Sequence, residues 1–323
     1  MTQATAEDRP EPGHPIELTP PDIEPYRAGN TGVPYYTRFD SGVPGQHVMV
    51  NAVTHGNELC GAIAVDFLFR HGVRPQVGSL TLGFANVEAY HAFDPEDPTA
   101  SRFLDEDLNR VWEPSILDGS RRSRELARAR EIRPLVDTVD QLLDIHSMQH
   151  KTPPLMLAGP VAKGRELAGL VGTPADIVVD SGHKAGRRLR DYPPFVKPGE
   201  RNALLVECGQ HWEAAAADVA IDVTLRFLRV FEMIPAEFAQ PHLLPLPERQ
   251  RVIEVTEAVT IRTDRFSFAQ DFVGMEVLAE EGTLIGMDGD RPVVTPYADC
   301  VLIMPSRRLS PGLTAVRLGR IVG

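Results

Sequence analysis

With 323 residues, 42% of them apolar and 24% charged, the chain has the make-up of a soluble globular protein of one large domain plus a small one. A formal net charge of −12 argues against nucleic acid or an anionic membrane as partner, so an anionic ligand would have to be met by local arginines. Three scattered cysteines, Cys60, Cys208 and Cys300, with no CxxC, argue against a disulfide framework and read as buried thiols in a reducing compartment, the cytoplasm.

In chain order, residues 1–25 are rich in Pro and acidic side chains and lack the basic start and apolar stretch of a signal peptide; they read as a loosely ordered tail. No run approaches the roughly 18 apolar residues of a membrane span. The Val-rich run 47–53 reads as a buried strand, 57–70 as a helix with Leu59, Ile63 and Phe67 on one face, and 80–87 as a second strand. Residues 97–112 read as a loop and 121–140 as a charged helix broken at Pro134. Strands are expected at 141–148, 154–159, 176–180 and 203–209, with helices over 162–171 and 213–233 and a long basic loop over 182–201. This alternation implies an α/β domain with a largely parallel or mixed sheet over 26–240. After Pro235, Pro241, Pro245 and Pro247 the pattern changes to short Val/Ile/Leu runs between Gly, Asp and Pro turns, the mark of a small all-β domain over 241–323.

Four pieces carry chemistry. His55-Gly-Asn-Glu58 lies where a strand passes into a helix, at the strand end where open α/β sheets place their sites, and a His and a Glu three apart there can converge on one metal ion. Taken alone, His55 reads more simply as a hydrogen-bonded loop histidine. Asp144 and His146 share one face at the end of a strand; the acid would orient His146 as a metal ligand, or the two form a buried structural pair. Glu207 ends another apolar strand, where desolvation raises a carboxyl pKa and suits a general base, although a structural acid paired with arginine would look the same. Arg102-Phe-Leu-Asp-Glu-Asp107-Leu-Asn109-Arg110 is either a solvated charged loop or a carboxylate-binding one. Together, two histidines and a glutamate make a His₂Glu zinc set that leaves a coordination position open for water.

In the order THGNE (54–58), RFLDEDLNR (102–110), DIH (144–146) and VECG (206–209), the chain resembles the succinylglutamate desuccinylase/aspartoacylase family of zinc carboxypeptidase-like hydrolases over about residues 45–235. The resemblance implies a mixed α/β sheet domain and cleavage of N-acyl amino acids. It implies one zinc ion per chain held by His55, Glu58 and His146, Glu207 as general base and acid, and Arg102 polarising the scissile carbonyl. Asn109 and Arg110 would hold the substrate carboxylate. A further carboxylate-binding basic residue, an arginine in the family, is expected from among Arg187, Arg188, Arg190, Lys197 and Arg201, with Arg190 carried forward, and a C-terminal tyrosine, for which Tyr297 is the nearest candidate. The expected partner is a small N-acyl amino acid, neither nucleic acid nor membrane, with a homo-oligomer left open. Two alternatives stand beside this amidohydrolase: a carboxypeptidase trimming peptides, and a metal-binding scaffold without catalysis. No GxSxG or GxxxxGK[ST] occurs to support a serine hydrolase or a phosphate-binding loop.

Overall fold

In the computed structural model, which describes residues 14–323, one sheet of eleven strands organises the molecule. Its order is β1 (Tyr36–Asp40), β3 (Ser79–Phe84), β2 (His47–Ala52), β4 (Gln141–Met148), β7 (Asn202–Gln210), β5 (Leu155–Leu157), β6 (Asp176–Val179), β8 (Arg251–Thr260), β14 (Thr314–Ile321), β13 (Cys300–Ile303) and β10 (Glu276–Leu278). A separate ladder joins β12 (Arg291–Val294), β11 (Leu284–Asp288) and β9 (Phe266–Phe268). The central strands β3, β2, β4 and β7 run parallel, β1 is antiparallel to β3 and β5 to β7, and β6 lies parallel to both β5 and β8. The sheet is therefore mixed, as the alternation of elements led one to expect.

The central strands are buried on both faces, which is why they read as continuous apolar runs. Alternation divides their side chains. Val50, Ile145 and Val206 meet the helices Leu59–Arg70 and Ala214–Val230 on one face. Met49, Leu142 and Ala203 meet the helix Arg124–Val136 on the other. Asp144, His146 and Glu207 stand on this second face, at the carboxyl ends of their strands.

Three readings need correction. Residues 14–25 are not a loose tail: Leu18 and Ile23 are buried, the Glu17 N–H donates to the Trp212 carbonyl at 2.9 Å, and the Tyr26 ring stacks on Phe69 at 4.1 Å. The first 13 residues of that expected tail lie outside the described ones. Strand β1 was not anticipated. Pro134 does not break its helix, which ends at Val136, because a proline so near the terminus costs a single carbonyl its partner. The β unit expected after residue 241 adjoins this sheet: β8 pairs along β6, with Asp176 opposite Arg251. All three cysteines are buried and unpaired. Among the described residues no helix is long and apolar enough to cross a membrane.

Candidate metal and catalytic site

Strand β2 ends at Ala52, and Val53 follows at φ 61°, a left-handed conformation that a β-branched residue adopts only under constraint. The turn so started delivers His55 and Glu58 beneath the helix Leu59–Arg70. Gly56 is required here: a Cβ on it would strike the backbone of Ala89 and the Ser101 carbonyl, and its N–H donates to the Arg102 carbonyl at 3.1 Å. The ligand turn and the arginine loop are thus pressed together by the absence of a side chain.

His55 Nδ1 lies 2.7 Å from one Glu58 oxygen and His146 Nδ1 lies 2.8 Å from the other. The far nitrogens are held as well, His55 Nε2 by Asp107 and His146 Nε2 by Asp144, each at 2.9 Å. Asn51 and Thr54 in turn donate to Asp144 at 2.8 and 3.0 Å. Each ring therefore sits between two carboxylates, and a neutral imidazole has one proton to offer. With that proton on the Asp side, both Nδ1 lone pairs face the oxygens of Glu58, a repulsion that a cation between them relieves. The electrostatics show the same demand for positive charge between these carboxylates, met without a metal by an extra proton on the His146 ring. Burial would raise the Glu58 pKa, but His55 and His146 hold it well below the usual range. Burial would lower that of His146, but Asp144 and Glu58 push it well up. Donor atoms of His55, Glu58 and His146 all lie within 4.8 Å of one another, so the three residues fit a metal ion.

Glu207 stands opposite His146 in the β4–β7 ladder. Its Oε2 is buried with no hydrogen-bond partner among the described residues. Burial pushes its carboxyl up to about 8, aided by Glu58 and opposed by His146, Arg102 and Arg188. Arg102 reaches Asp107 at 3.3 Å and Glu58 at 3.5 Å. The Asn109 amide nitrogen lies 3.5 Å from His146 Nε2, while its side-chain Oδ1 accepts from Leu189 N–H at 2.8 Å. Arg110 donates to the Asn109 backbone carbonyl at 2.7 Å and comes only within 3.9 Å of Asp107. His55, Glu58, Arg102, Asp107, Asn109, Arg110, His146 and Glu207 line one cavity of about 450 Å³, a size suited to a small molecule.

Residues 44–228 match the Succinylglutamate desuccinylase/Aspartoacylase catalytic domain. The chain belongs to this family. That makes it a hydrolase of the deacylase type. Among solved structures, succinylglutamate desuccinylase from Vibrio parahaemolyticus superposes with a TM-score of 0.66 at 17% identity, covering 91% of this chain and 90% of that one. Murine aminoacylase 3 gives 0.58 at 18%, covering 86% and 96%. The ectoine utilization protein EutE (DoeB) from Ruegeria pomeroyi gives 0.59 at 17%, covering 88% of each. A search of curated protein sequences finds no match.

Two site residues expected for a member of the family fall elsewhere. Arg190 is fully buried, bonded to Asp191 at 2.6 Å and to the Ala158 carbonyl, in a slot left by Gly159, where a Cβ would strike its guanidinium. Tyr297 bonds Thr256 at 2.6 Å and lies under Arg320, packed in the C-terminal ladder away from the cavity. Beyond Arg102 and Arg110, the cavity is lined by Arg188, two residues before Arg190, by Arg307 and Arg308, and by Arg317 on β14, joined there by His183. Sequence reading missed Arg317 and His183, and it missed Asp107 as the partner of His55. The DIH spacing hinted at a carboxylate behind each ligand histidine, but nothing local singled out Asp107 within Asp105-Glu106-Asp107. Removing either carboxylate frees a ring to turn. Asp107→Asn and Asp144→Asn are each expected to weaken metal retention about 10- to 100-fold, read by competition with a chromophoric chelator. Unchanged affinity in both would mean that the rings are held by packing alone.

Proposed function

We propose that the protein is a zinc-dependent amidohydrolase that frees an amino acid from its N-acyl derivative, working in the cytoplasm. The observation that carries this reading is the buried Glu207 carboxyl, whose Oε2 has no partner among the described residues, facing the same cavity as the convergent His55, Glu58 and His146 and the loosely paired Arg110. A scaffold has no use for an uncompensated buried acid, which only destabilises it.

His55, Glu58 and His146 would hold the zinc, which when bound supplies a Lewis acid that acidifies water and polarises a carbonyl. The side chains do the rest. Arg110, with Asn109, fixes the substrate carboxylate and so orients the amide. Glu207 takes a proton from the attacking water at its unpartnered Oε2. Arg102 meets the charge that develops on the carbonyl oxygen. As the C–N bond breaks, Glu207 returns the proton to the leaving nitrogen, giving a carboxylic acid and a free amino acid.

The test is turnover of a panel of N-acyl amino acids and peptides before and after chelation. Cleavage of acyl amino acids is expected, abolished by chelator and restored by one zinc per chain. Turnover confined to peptides would replace this reading with a carboxypeptidase, and none at all, with metal bound, would sink it.

A further inference from the structure

Glu125 lies in the first turn of the helix Arg124–Val136 and outside the cavity, fully buried and without a cation partner among the described residues. Every group it touches is a hydrogen-bond donor. Its Oε1 accepts the Leu104 N–H at 2.7 Å and the Asn86 side-chain amide at 3.3 Å. Its Oε2 accepts the N–H groups of Asp105 and Glu106 at 3.1 and 3.2 Å. Three successive backbone N–H groups thus cup one anion, a geometry that elsewhere binds anionic ligands and is filled here by the chain's own side chain. Among the described residues no backbone carbonyl takes these three N–H groups, so the carboxylate stands in for the ladder that a helix or strand would supply. The helix itself does not need it: Ser123 Oγ accepts the Leu126 N–H at 3.0 Å and Asp105 accepts the Arg124 N–H at 2.8 Å. The loop does need it. Residues 104–106 join Arg102 to Asp107, and Asn109 and Arg110 follow, the four side chains of this loop that meet the metal ligands or the substrate space. Asn86 carries the same clasp to the ligand turn, because its own N–H donates to the Val53 carbonyl at 2.8 Å, just ahead of His55 and Glu58. One buried carboxylate therefore sets the arginine loop and the ligand turn against each other.

We propose that Glu125 is a positioning residue for the reaction: by fixing the backbone of residues 104–106 it registers Arg102, Asp107 and Arg110 on the metal ligands. Its kinetic consequences rest on the deacylase reading above. Four hydrogen bonds and the helix N-terminus offset the cost of burying an anion without a cation. An uncharged residue at this point could fill the space, but it could not accept from three N–H groups at once.

The test is Glu125→Gln, which keeps the volume but turns an NH₂ group toward N–H groups. Hydrogen exchange read by mass spectrometry should quicken in peptides covering 102–107 and stay slow in the central strands. Metal retention should weaken by no more than the roughly 10- to 100-fold expected for Asp107→Asn. At full zinc content kcat/KM should fall about 10²-fold, the usual cost of a small misplacement. Because Arg102 and Arg110 shift together, kcat falls and KM rises in the same variant, and the preference for a carboxylate substrate over its amide analogue shrinks. A Glu125 that served stability alone would lower Tm and leave kcat, KM and that preference unaltered in the folded, zinc-loaded variant. Should Glu125→Gln fail to fold, Glu125→Asp, which keeps both oxygens on a shorter stem, is expected to show smaller changes in the same directions. Unchanged exchange over 102–107, or faster exchange with unaltered kinetics, would overturn the proposal. If the wild type hydrolyses no acyl amino acid, the deacylase reading fails, and Glu125 is then judged without turnover. Faster exchange together with weaker metal retention would keep its role, and no change in either one would remove it.

Discussion

Glu207→Gln is expected to keep the fold and the metal while kcat falls by about 10²–10⁴-fold, the usual worth of a positioned acid–base group. The amide has nearly the shape of the carboxyl, and the site makes no demand on Oε2 that an amide would violate, since that atom has no partner among the described residues. Stability should hold or rise. A buried carboxyl whose pKa is raised in the fold prefers its protonated form, so it loses stability as pH climbs from its unfolded value toward the folded one; glutamine has no such penalty. The pH profile gives a second readout. With burial raising it and His146, Arg102 and Arg188 opposing, the Glu207 pKa comes to about 8, and a bound dication would pull it lower. The limb of kcat/KM that falls on acidification should therefore lie below pH 8 in the wild type and disappear in the variant. Near-normal kcat with full metal content would make Glu207 structural.

How much of this was legible depended on whether a residue's role was set locally. Strands β2, β4 and β7 are apolar on both faces, so 47–53, 141–148 and 203–209 announced themselves. His55, Glu58, His146 and Glu207, which the fold brings to one cavity, stood out in the sequence only as a set, since each alone also reads as a structural residue. Strand β1 was missed because an edge strand exposes alternate residues, and YTRFD looks like loop. Its anchor, Tyr36, is fixed by distant partners: Asn51, 2.6 Å from its hydroxyl, and Gly83, where any Cβ would strike the ring. Asp105, Glu106 and Asp107 are alike in sequence, yet only the fold separates them. Asp105 caps the Arg124 N–H at 2.8 Å, Glu106 pairs with Arg121 at 2.7 Å, and Asp107 alone turns to His55. Arg188 and Arg190 divide in the same way, one into the cavity wall and one into the core, across the turn Leu189–Asp191.

Arg102 and Arg110 share Asp107, at 3.3 and 3.9 Å, so a reading that made them only its ion-pair partners would expect similar, small effects from removing either. Their positions predict divergence. Arg110 can leave without orphaning Asp107, which keeps His55 and Arg102. Arg110→Ala should therefore leave stability and metal content unchanged and act on substrate binding. Because a held carboxylate is the same in ground and transition state, the loss appears in KM, and it shrinks for a substrate whose carboxylate is an amide. Arg102 lies against Glu58 and His55 as well, with Nη2 3.0 Å from His55 Nε2, so its charge stands beside the proposed metal ligands, where the carbonyl oxygen must develop its own. Removing one such donor typically costs about 10²–10³ in kcat, whatever the rest of the substrate. Since Arg102 also steadies Asp107, the variant must be assayed at measured zinc content: a kcat restored by added zinc would assign Arg102 to metal retention rather than to the oxyanion. Steady-state kinetics of both variants on a carboxylate substrate and its amide analogue separate the roles. Identical behaviour, or no loss in either, would return both arginines to the ion-pair reading.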